Sequence, residues 1–141
     1  MVVTEYVTKA DSERILTILE TIYGKYTIPD NMKPKYIERV YDAGCRDIVR
    51  SEDFDERYDE LISCRYSTVQ ILNIIPKNIK SYSGVPRGPL GNPLDLRIIV
   101  DLESGRVGYG TKEYEVKMFS EKSFTENLVD AFLWAIIENK K

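Results

Sequence analysis

The chain has 141 residues, 43% of them apolar and 30% charged, which is enough for one domain that buries roughly 68% of its unfolded surface. Twenty basic against 23 acidic side chains give a net charge of -3, and the acidic balance excludes the basic footprint that general nucleic-acid binding needs. Histidine is absent, which removes Ser-His and Cys-His nucleophile pairs, imidazole general bases and His-containing metal sites.

The first predicted element is a helix in "ADSERILTILETIYGKY", capped by Asp11 or Ser12. Ile15, Ile18, Leu19 and Ile22 recur at helical spacing, and Gly24 supplies the stop. After the loop "TIPDNMKP", Pro34 suits the first turn of a second helix through Ile37, Val40 and Tyr41, ending at Gly44. A third helix is expected from Ser51 or Asp53, with Phe54, Tyr58, Leu61 and Ile62 as its stripe. The acids of "SEDFDERYDE" would complement its dipole. They read either as a solvated helical face or as an acidic docking surface for a basic partner.

"STVQILNIIP" is rich in β-branched residues and apolar on both faces, so a central strand over about 67–75 is expected, ended by Pro76. "DLRIIVDLESGRVGYGTKEYEVKMF" reads as a β-hairpin over about 95–118, turning at Glu103-Ser104-Gly105. Ser123 and Glu126 form a capping box ahead of a last helix whose Leu128, Val129, Phe132, Leu133 and Ile136 suit packing across a sheet. The expectation is a single α+β domain over 1–141: three N-terminal helices, a small mainly antiparallel sheet and a C-terminal helix packed on it.

No apolar run is long enough to span a bilayer, and "MVVTEYVTKADSER" lacks the charged and apolar regions of a signal peptide, so an unexported cytoplasmic protein is expected. Cys45 and Cys64 form no CxxC pair and are read as reduced thiols. No cofactor and no metal site is called for. The glycines Gly84, Gly88 and Gly91 form GxxxGxxG, which is neither a P-loop nor a dinucleotide fingerprint.

Charge is uneven: residues 1–66 hold ten basic and fourteen acidic side chains, and residues 67–141 hold ten and nine. The segment 76–94 is rich in proline and glycine, locally basic, and longer than the roughly 12–15 residues usual for a structureless connection. Its prolines restrict φ, which favours a semi-rigid recognition loop. Tyr82 and Arg87 are of the types that dominate interface hot spots, and Asn92 offers donor and acceptor.

The leading expectation is therefore a small acidic binding protein that sequesters or occludes a protein partner, of the inhibitor, immunity or phage counter-defence kind. Its binding residues would be Lys80, Tyr82, Arg87 and Asn92, with the acidic third helix as a further surface. An alternative has the same loop closing on a small anionic ligand such as a nucleotide, with Tyr82 stacking and Arg87 and Lys80 neutralising phosphate.

One enzymatic pattern is also present. "NPLD" ends at Asp95, and Glu115-Val116-Lys117 follows. This resembles the PD-(D/E)xK nuclease signature, although Leu94 separates Pro93 from Asp95. The resemblance implies metal-assisted hydrolysis by Asp95, Glu115 and Lys117. A hairpin pairing residues whose numbers sum to about 208 would bring Asp95 near Glu113 and diagonal to Glu115. Asp101 is an alternative first acid, and an amphipathic strand with Glu115 and Lys117 facing water is the plainer reading.

Overall fold

The computed structural model describes residues 5–79, 96–111, 115–119 and 122–139, and only the backbone of Glu115 and Val116. The chain divides into two compact units, Met1–Ile74 and Ile75–Lys141. Among the described residues they hold three α-helices and two small antiparallel sheets, an α+β protein.

The first unit begins with α1, Lys9–Tyr23. Its cap is Thr8, whose hydroxyl accepts the Asp11 N–H at 3.2 Å, a few residues ahead of the expected Asp11 or Ser12. The helix stops where foreseen, at Gly24, whose φ of 88° is easily adopted only by glycine. Ile15 and Leu19 are fully buried, and α1 packs on the strand Glu60–Arg65. Buried Ser12 accepts the Tyr66 N–H and donates to the Val7 carbonyl, joining the helix to the chain segments beside it.

The expected second helix is instead a β-hairpin: β1, Tyr36–Tyr41, pairs with β2, Cys45–Arg50. Apolar residues at 37, 40 and 41 satisfy a helical count. Aromatic and β-branched residues nevertheless favour a strand, and the complementary run "CRDIVR" follows at hairpin distance. Asp42-Ala43-Gly44 makes the turn, all three at positive φ (37°, 56° and 96°).

The expected third helix is also absent. Ser51–Asp53 forms one 3-10 turn, and Glu60–Arg65 is the strand β3, which pairs with β1 to complete the order β2-β1-β3. The physical reason is visible in "SEDFDERYDE". A helix would bring Glu52 against Glu56, Asp55 against Asp59 and Glu56 against Glu60, three like-charge pairs at i,i+4.

The expected central strand over 67–75 is a helix, α2, Thr68–Ile74. Ser67 caps it, its hydroxyl accepting the Gln70 N–H at 3.0 Å. Ser67-x-x-Gln70 has the spacing of a capping box, and here it outweighs the β propensity of Val69, Ile71 and Ile74.

The second unit has a four-stranded antiparallel sheet, β4-β5-β6-β7, from Asn78–Ile79, Leu96–Asp101, Arg106–Gly110 and Glu115–Phe119. The expected hairpin is thus three strands rather than two. Its turn is where expected, with Gly105 at φ 74°. The register is one residue off: Arg97 faces Gly110 and Asp101 faces Arg106. The last helix, α3, Phe124–Asn139, starts at the expected box: the Ser123 hydroxyl accepts the Glu126 N–H at 3.2 Å and donates to its carboxylate at 3.0 Å. Leu128, Val129, Phe132, Leu133 and Ile136 are all buried, and α3 packs on β6, with Trp134 stacked on Tyr109 at 4.3 Å.

Candidate functional site

Lys80, Tyr82, Arg87 and Asn92, with most of the segment 76–94, lie outside the described residues, as does Asp95. Of the nuclease-like set, Lys117 is exposed with its ammonium 5.1 Å from the centre of the Phe119 ring, and Tyr109 is its partner across the ladder. Glu115 and Lys117 belong to β7, which pairs with β6, so β5 and β7 are not neighbours in the sheet. Asp101 is committed locally: its carboxylate accepts the N–H groups of Glu103 and Ser104 at 3.0 and 3.2 Å, closing the turn. The Ser104 contacts foremost hold it below the usual carboxylate range. No group of three His, Cys, Asp or Glu residues among those described could hold a metal ion.

The most organised charged surface is the acidic segment that the sequence reading placed on a helix. Its anchor is Arg39, on the central strand β1. The guanidinium grips Asp47 of β2 with two hydrogen bonds, at 2.8 and 3.3 Å, and Asp59 with a third, at 2.9 Å. Its other side covers the Tyr41 ring, 4.6 Å from the centroid. Bidentate pairing of this kind fixes direction as well as distance.

From Asp59 the constraint passes along the turn. Asp59 is almost wholly buried, with 5% of its side chain exposed, and its carboxylate also accepts the Asp55 N–H at 3.0 Å. The Asp55 carbonyl accepts the N–H groups of Tyr58 and Asp59. Its carboxylate accepts both the N–H of Arg57 and its guanidinium, at 3.0 to 3.1 Å. These contacts, the Asp55 N–H foremost for Asp59 and the Arg57 side chain foremost for Asp55, hold both carboxyls below their ordinary values.

Two acids therefore build the turn, and the rest face outward. Asp53, Glu56 and Glu60 are exposed, and no ion pair involves them among the described residues. Tyr58 is 75% exposed with Arg57 over its ring at 5.4 Å, and Leu61, near the start of β3, is 51% exposed. An exposed aromatic and an exposed leucine thus stand within nine residues of three exposed acids, on a segment braced by Arg39.

The acids were legible as a docking surface; Tyr58 and Leu61, expected on the apolar stripe of a helix, are exposed instead, and the bracing by Arg39 was not legible. Asp59 is twenty residues from Arg39, and the pairing of β3 with β1 brings them together. Comparisons with family models, curated proteins and solved structures found no match to this chain.

Proposed function

We infer that the protein is a binding protein that acts by covering a basic surface on a protein partner, with the braced acidic turn as its contact face. The observation that carries this reading is the exposure of Tyr58, among exposed acids, on a turn braced through Asp59 and Arg39. A surface already fixed in its bound shape loses little entropy on association. Tyrosine and arginine are the residue types that most often anchor interfaces, and a rim of acids steers a basic partner and suppresses others. Occlusion needs no catalytic group, which suits an inhibitor, immunity or counter-defence role.

Affinity capture from the cell of origin, or from the cell its source infects, tests this with three baits: the unmodified chain, Tyr58→Ala, and Asp53→Lys/Glu56→Lys/Glu60→Lys. A protein with a basic contact face should be retained by the first and lost from both variants, each checked for an unchanged melting temperature. Equal retention by all three overturns the reading.

A further inference from the structure

The first unit holds a second feature, chemically opposite to the acidic turn: two adjoining clefts that share Lys35. The segment 31–36 that forms their common wall is gripped from both sides. Gln70, 5% exposed, donates from its side-chain amide to the Lys33 carbonyl at 2.6 Å and accepts the Lys35 N–H at 3.4 Å. The Tyr66 hydroxyl donates to the Met32 carbonyl at 2.8 Å. From the other side, Ser51 donates its N–H to the Lys35 carbonyl at 2.9 Å and its hydroxyl to that of Pro34 at 3.3 Å.

One cleft, of about 370 Å³, is lined by Lys33, Lys35, Arg50 and Ser51, with Asp30 and Glu52. Lys33 is paired with Asp30 at 3.1 Å, whereas Lys35 and Arg50 have no ion pair among the described residues. The other cleft, of about 420 Å³, continues from Lys35 along Asn31, Tyr36, Asn73 and Ile74. That volume is within the roughly 300–1,000 Å³ of small-molecule sites. Tyr36 faces Arg50 directly across the β1–β2 ladder, so the two share one side of the sheet. Its ring is set by an edge-on contact with Tyr6, centroids 5.1 Å apart.

We propose that the two clefts form one site for a small phosphate monoester. Lys35 and Arg50 take the phosphate, whose charge near pH 7 is about -1.5 to -2 and which two cations without an ion pair match well. Tyr36, Ile74 and the amides of Asn31 and Asn73 take a ring-bearing polar body in the larger cleft. This site is separate from the acidic contact face and stands or falls independently of it.

The test is calorimetric titration of the whole chain at low salt. The ligands are the four ribonucleoside 5′-monophosphates, ribose 5-phosphate, adenosine and inorganic phosphate. At least one monoester should bind saturably, raise the melting temperature, and bind about tenfold or more tightly than adenosine or inorganic phosphate. Lys35→Ala/Arg50→Ala should weaken it by about tenfold or more, with the unliganded melting temperature unchanged because both side chains are exposed. If the double variant folds poorly, Lys35→Gln alone should show the same direction. No binding by any monoester, inorganic phosphate binding as tightly as the best of them, or unchanged affinity in folded variants overturns the proposal.

Discussion

Gln70 holds Lys33 as a strand holds its neighbour: the amide nitrogen donates to the Lys33 carbonyl, and the amide oxygen accepts the Lys35 N–H. One buried side chain thereby satisfies two backbone groups of a segment that has no ladder of its own. Gln70→Ala should cost about 1–3 kcal/mol in denaturant unfolding, because those groups lose their partner. Gln70→Glu should cost more, since it sets a carboxylate oxygen against a carbonyl.

Ala43 is held at φ 56° in the β1–β2 turn, where a Cβ is disfavoured. Asparagine tolerates this region better than alanine. Ala43→Asn should therefore stabilise the protein, by about 0.5–1 kcal/mol, with the hairpin unchanged. Chemical unfolding of the two chains measures this; an equal or lower midpoint for the variant contradicts it.

Folding lowers the pKa of Asp59 and Asp55. Each contributes stability that is fully present above the ordinary carboxylate value, about 4, and that is lost as pH falls through the lowered one. The melting temperature should fall steeply below about pH 4. Asp59→Asn should be less stable at neutral pH and show a shallower fall with acid. Parallel pH profiles for the two proteins would contradict this role for Asp59.

The two thiols should differ in reactivity. Cys45 is exposed at the start of β2, while Cys64 is half-buried on β3 and burial pushes its thiol up. Because β1 lies between those strands, their separation exceeds the reach of a disulfide, about 7 Å between Cα atoms. Iodoacetamide at pH 8 should label Cys45 well before Cys64, read by peptide mass spectrometry. Equal rates would mean that β3 opens readily.

Local chemistry was legible where it was self-contained. Ser123 and Glu126 are three residues apart and announce α3, and Gly105 marks its turn, because each signal and its effect lie within one helical turn or one bend. The stretch from Pro34 to Ile74 was misread because its decisive contacts are distant. Arg39 reaches Asp47 and Asp59 only once β1, β2 and β3 are paired, and Gln70 reaches back to Lys33 across most of the unit. One local signal was present and outweighed in reading: Ser67-x-x-Gln70 marks a helix start within a β-branched run. The proposed contact face was legible only in its acids: Tyr58 and Leu61 had the spacing of a helical stripe, and a nonlocal arginine shapes the turn.

Position 58 itself offers the most direct test of the proposed contact face. A photo-crosslinking residue in place of Tyr58, irradiated in the cell of origin or the cell its source infects, should trap one protein through a lysine- or arginine-rich peptide. The same residue in place of Tyr26, 88% exposed in the loop after α1, should not trap it. The adduct should disappear when Asp53, Glu56 and Glu60 are changed to lysine. Trapping at position 26 but not 58, or an adduct at 58 that survives the charge reversal, would contradict the account.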